Sequence, residues 1–165
     1  MLAKSKIKVA IVDDEAQMRE MLKDFVEQKF PAAEISVDSS GEEALEKIYE
    51  EPDMIILDYL LDSKNSEAMN GVQVLKKLKE RYEDVHVVFV SGQERAEIAA
   101  NTMKYGAYDY IVKNENAFHR LEIVVKNVLG NTQLKKTAGT QKFFNYLLVA
   151  LIAALVIGII VMKVG

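Results

Sequence analysis

The chain has 165 residues, of which 50% are hydrophobic and 28% charged, the composition of one ordinary globular domain. It contains no cysteine, which excludes a disulfide framework and a cysteine-ligated metal site, and with 2 prolines and 8 glycines it is neither a disordered nor a fibrous repeat sequence. Lys163 is the only charged residue after Lys142, so residues 1–142 carry 20 basic and 25 acidic groups, a net charge of −5, and nonspecific binding to nucleic acid is not expected.

Residues 6–129 alternate short β-branched runs with helical patterns five times. The first strand is expected at Lys8–Val12, followed by a helix at Glu15–Phe30, where Met18, Met21, Leu22, Phe25 and Val26 recur at helical spacing and Pro31 ends the run. A strand at Glu34–Val37 leads to a helix at Ser40–Ile48, with Ser40 and Glu43 at capping-box spacing. Strands at Met54–Leu57, Val85–Val90 and Tyr108–Val112 then alternate with helices at Val72–Arg81, Glu94–Tyr105 and Phe118–Leu129. Runs such as Ile-Ile-Leu and Val-Val-Phe-Val are continuously apolar, which fits strands covered on both faces by helices. Right-handed crossovers make this an α/β fold, a doubly wound five-stranded parallel sheet of flavodoxin-like order 2-1-3-4-5.

Beyond the soluble part, Gly130–Lys142 reads as a flexible linker and residues 143–163 as a transmembrane helix. Phe143–Met162 is uncharged, and twenty helical residues cover ~30 Å, a bilayer's hydrocarbon thickness. Lys135, Lys136 and Lys142 precede the span and only Lys163 follows it, which by the positive-inside rule puts residues 1–142 in the cytoplasm on a single-pass C-terminal membrane anchor. Ala150, Ala154 and Gly158 form a small-residue stripe that offers a route to a homodimer.

In a doubly wound sheet, ligands bind beyond the carboxyl ends of the strands. Asp13 and Asp14 follow the first strand, Asp58 the third, Ser91-Gly92 the fourth and Lys113 the fifth. Neighbouring strands lie ~4.8 Å apart, so three carboxylates meet in one crevice. They would repel one another unless one took up a proton or a hard divalent cation bound through oxygen, for which Mg²⁺ is the expected ion.

The motifs VAIVDDE, IILDYLL, VVFVSG and DYIVKN, with SSGEEAL at the second junction, resemble the receiver domain of response regulators in two-component systems, over about Ile7–Leu129. The resemblance implies that Asp58 is the phosphoacceptor and that Asp13, Asp14, Asp58 and the backbone carbonyl of Leu60 hold Mg²⁺. Ser91 and Lys113 would contact the phosphoryl oxygens, Ser91 and Tyr110 would form the switch, and Gly92 would leave room for its amide to approach the phosphoryl group. Such a domain catalyses only its own phosphorylation and dephosphorylation. Its partners would be a histidine kinase or phosphotransfer protein and a downstream protein on the fourth-helix to fifth-strand surface.

The sequence also departs from that pattern. Twelve residues, Tyr59–Asn70, separate Asp58 from Gly71, adding Asp62 and Glu67 near the pocket, and Leu60-Leu61 replaces the usual Met-Pro. Asn114 follows Lys113 where receivers commonly have proline, so a trans bond is expected and the aim of Lys113 is open. These departures keep a pseudo-receiver scaffold, acting by constitutive binding, as the alternative. A phosphohydrolase of similar topology would need an acid at Leu60. Neither a Walker loop nor a GxGxxG fingerprint occurs, and His86 and His119 are isolated.

Overall fold

The structure is a computed structural model and describes residues 7–61, 68–130 and 144–149. Its strands and helices alternate as β1 (Ile7–Val12), α1 (Ala16–Lys29), β2 (Ala33–Asp38), α2 (Gly41–Lys47), β3 (Met54–Leu57), α3 (Gly71–Arg81), β4 (His86–Ser91), α4 (Ala96–Lys104) and β5 (Asp109–Val112), followed by α5 over residues 117–130. All five strands are parallel, in the order β2-β1-β3-β4-β5. Parallel neighbours need crossovers, and α1, α2, α3 and α4 each supply one.

The period of two along each strand divides the core. Val9, Ile11, Met54, Ile56, Val88, Val90 and Ile111 face α1 and α5, where Leu22, Val26, Leu121, Val125 and Val128 close over them. Ala10, Val12, Ile55, Leu57, Val87, Phe89 and Tyr110 face the other way, onto Leu45 of α2 and onto Val74, Leu75 and Leu78 of α3. The inner strands β1, β3 and β4 are therefore largely apolar on both faces, the reason their sequences run without alternation, whereas the edge strand β2 alternates and exposes Glu34 and Ser36. Only where the strands emerge from this double cover can charged groups gather.

Local signals shape the junctions. Ser40 Oγ accepts the Glu43 amide at 3.1 Å as expected for an N-cap, but the Glu43 carboxylate turns to the amide and hydroxyl of Ser39 rather than to Ser40 itself. The complete reciprocal capping box lies at α3, between Asn70 and Gln73. The pattern Asn-x-x-Gln before an apolar run was its readable signal.

Clustering of contacts divides the chain into two units, Met1–Leu129 and Gly130–Gly165. In the second, residues 144–149 are helical, with Phe144, Tyr146, Leu147, Leu148 and Val149 exposed. The expected membrane anchor is corrected here: among the described residues, no helix is long and apolar enough to cross a membrane. The expected membrane contact through residues 143–163 and the anchored, cytoplasm-facing localisation are corrected with it; of that segment only residues 144–149 are among the described residues. The stripe Ala150, Ala154 and Gly158, the linker residues 131–142, and Asp62 and Glu67 of the long loop lie outside the described residues.

Candidate functional site

Asp13 and Asp14 leave the end of β1, and Asp58 the end of β3, whose register pairs Val12 with Leu57. The Asp58 amide donates to Val12 O at 2.8 Å, continuing the ladder by one bond and bringing the two strand ends level. One carboxylate oxygen from each of Asp13, Asp14 and Asp58 lies within 4.8 Å of the others. Asp13 and Asp58 are buried and Asp14 is exposed, so the crevice opens to solvent on one side.

The ends of β4 and β5 close the crevice. The Lys113 amide donates to Ser91 O at 2.7 Å, and the Lys113 side chain reaches back so that Nζ donates to Asp13 Oδ2 at 2.8 Å and stands 3.5 Å from Asp58 Oδ1. The Lys113–Asn114 bond is trans, as expected, and the ammonium still points into the acid cluster. Asn114 begins the next turn, its side-chain oxygen accepting the Asn116 amide and its carbonyl the Ala117 amide at the start of α5. Ser91 is buried, with Oγ accepting the Gln93 amide at 3.3 Å.

Burial is the main force on the Asp58 carboxyl and pushes its pKa up to about 6; the Lys113 charge opposes the rise, and the Asp13 and Asp14 charges add to it. For Lys113, burial works against the charged form, but the bond to Asp13 and the charges of Asp58 and Asp13 outweigh it, and its pKa is raised. The ammonium therefore stays charged while the pocket remains short of positive charge. Asp58 Oδ1 is buried and receives no hydrogen bond. An orphaned carboxylate oxygen within an all-oxygen cluster, one side open to water, fits a hard cation such as Mg²⁺.

Tyr110 is turned inward. It is 7% exposed, its hydroxyl donates to Gln93 O at 2.8 Å, and its ring stacks on Phe89 with centroids 6.1 Å apart. Leu60 has a partly exposed side chain, whereas Leu61 is buried against α2. A Cβ added to Gly92 would meet nothing within 4 Å, so the space around that backbone does not depend on glycine.

Gly71, at the end of the long loop after Asp58, is the tightest glycine about the site. A Cβ there would stand 2.4 Å from Asp58 O and 2.7 Å from Phe89 Cε1, and the Gly71 amide donates to Tyr59 O at 2.9 Å. The start of α3 thus presses against the backbone that carries Asp58. Gln93, the acceptor for Tyr110, gave no signal of its own, because its backbone carbonyl does the work. Asp38 is a further buried acid at a strand end; its carboxylate lies 3.2 Å from Lys47 Nζ without a hydrogen bond of good geometry.

The response regulator receiver domain profile matches residues 9–125. Among curated proteins, the chain is 38% identical over 110 residues to protein-glutamate methylesterase/protein-glutamine glutaminase of Bacillus subtilis, a match covering 65% of this chain and 29% of that protein. The chain spans between 24% and 48% of the length of such curated relatives. Among solved structures, a CheY-like receiver domain protein from Methanospirillum hungatei superposes with a TM-score of 0.67 at 25% identity, covering 80% of this chain and 99% of that one. The CheX–CheY–BeF₃–Mg²⁺ complex of Borrelia burgdorferi shares the fold, with a TM-score of 0.65 at 23% identity over 74% of this chain and 89% of that one. Receiver domains bind Mg²⁺ at their acidic phosphorylation site and serve as phosphoacceptors, some of them joined to enzymatic domains. A match of this extent, over a sheet of this order, makes the chain a member of the response regulator receiver domain family.

Proposed function

We propose that the chain accepts a phosphoryl group on Asp58 from a histidine kinase or phosphotransfer protein and passes the signal on by binding a downstream protein. The observation that carries this reading is the Asp58 carboxylate itself: buried, with Oδ1 free of hydrogen bonds, 3.5 Å from one lysine and clustered with two more acids. An Asp58 oxygen attacks phosphorus as the bond to the donor imidazole breaks; the electron pair leaves with the imidazole nitrogen, which takes up a proton. Asp13, Asp14, Asp58 and the Leu60 carbonyl would hold Mg²⁺, whose charge, when bound, offsets that of the transferring group. Lys113 balances charge on the same oxygens, and Ser91 supplies a hydroxyl beside them.

Readout runs through packing. Gly71 touches the Asp58 carbonyl and the Phe89 ring, Phe89 stacks on Tyr110, and Tyr110 is tied to the loop before α4. A new dianion that draws Ser91 and Lys113 inward would loosen or tighten this series and change the α4–β5 face that a partner meets.

Acetyl phosphate with Mg²⁺ should raise the intact mass of the full chain by one phosphoryl group, and Asp58→Asn should abolish the gain. A wild-type chain that takes up Mg²⁺ yet gains no mass from acetyl phosphate or any phosphohistidine donor would be a scaffold rather than an acceptor.

A further inference from the structure

From the geometry at the start of α1, we infer that Arg19 is a positioning residue for the metal-binding acids, acting through the backbone of Asp13. The inference rests on the reading of this pocket as a Mg²⁺ site. Arg19 is the fourth residue of α1, and side chains of a helix lean toward its N-terminus. Its guanidinium reaches back over the first turn, and Nη1 donates to Asp13 O at 2.6 Å, a short charge-assisted bond.

The location is a poor one for helix stability. Cations are disfavoured near a helix N-terminus, α1 has no acid in its first turn to offset one, and its N-cap, Glu15, makes no side-chain capping bond. The turn between β1 and α1 is instead fastened around Asp13. Its amide donates to Asp38 O, Oδ1 accepts the Glu15 amide at 2.9 Å, Oδ2 accepts Lys113 Nζ, and its carbonyl accepts Arg19. The carbonyl belongs to the peptide that joins Asp13 to Asp14, so the arginine fixes the plane from which both carboxylates are presented. Groups that hold metal ligands in place commonly matter to affinity about 10–100-fold.

Two physical effects of Arg19 have opposite signs. As a charge beside the acids it would weaken cation uptake, whereas as an anchor of the Asp13–Asp14 peptide it would strengthen it. Calorimetric titration of Mg²⁺ into the full chain separates them. Arg19→Ala should weaken Mg²⁺ binding about tenfold, and Arg19→Lys, which keeps a cationic donor of similar reach, should recover most of the loss. Affinity within twofold of wild type in R19A, or tighter binding in R19A and in Arg19→Gln, overturns the inference. If R19A does not fold, as judged by circular dichroism, R19Q and R19K carry the comparison: weaker binding in R19Q than in R19K supports the anchor, and equal or reversed affinities refute it. A wild-type chain without Mg²⁺ uptake removes the metal-site reading as well, while uptake that is unchanged in R19A removes this inference alone.

Discussion

Two buried aspartates at strand ends on either side of β1, Asp58 and Asp38, make opposite use of similar ingredients. Each sits at the carboxyl end of a parallel strand, each is almost fully enclosed, and each has one lysine within about 3.5 Å or closer. At Asp38 the lysine comes from an exposed position on α2 and is shared with Glu43, itself held by the amide and hydroxyl of Ser39, so the acids are spread along a surface network. At Asp58 the lysine is largely buried and shared with Asp13, and Asp14 faces the same point. A buried carboxylate alone is a structural feature. Three facing one ammonium leave an excess of negative charge that a cation or a proton must answer, and that separates a site from a strut.

The largest test of this difference is removal of the shared lysine. Lys113→Met should destabilise the metal-free protein by about 3–5 kcal/mol in urea denaturation, because it strands two buried acids, and added Mg²⁺ should restore part of the loss. A change below 1 kcal/mol would mean that Lys113 does not offset the Asp13 and Asp58 charges.

Asp58→Asn should act the other way. The unfolded carboxyl titrates near 3.8 and the folded one near 6, so between those values the folded state holds more protons and stability falls as pH rises, reaching its full penalty above about 6. D58N should therefore gain about 2–3 kcal/mol over metal-free wild type at pH 7.5 and almost nothing at pH 4. A gain that stays constant with pH would remove the titration as its cause.

Tyr110→Phe loses one bond to Gln93 O and should cost about 1 kcal/mol while leaving the rate of Asp58 phosphorylation unchanged. Lys47→Met is the matching change at the other aspartate. It should lower stability, yet leave Mg²⁺ affinity at the wild-type value; a metal effect from K47M would join the two regions that the comparison separates.

The strand ends were readable because polar groups stand out after continuous apolar runs: Asp58 closes Ile-Ile-Leu and Ser91 closes Val-Val-Phe-Val. The doubly wound parallel sheet followed from those runs together with the handedness of crossovers, and its order from likeness to flavodoxin-like folds. What escaped was backbone chemistry. Gln93 and Asp13 act through carbonyl oxygens, and Gly71 matters for an atom it lacks, so side-chain identity carried little sign of any of them. At the tail, apolar composition stated only a preference for an environment, and among the described residues no helix is long and apolar enough to cross a membrane.

The loop after Asp58 is stitched at both feet: Gly71 N meets Tyr59 O one residue after Asp58, and Met69 N meets Glu42 of α2. Because the closure cost of a chain segment grows only with the logarithm of its length, residues can be gained or lost between those stitches at small cost. The receiver scaffold can thereby explore new surface beside the Asp58 carboxylate without retuning it, and the unusual span from Tyr59 to Asn70 is an instance of that freedom.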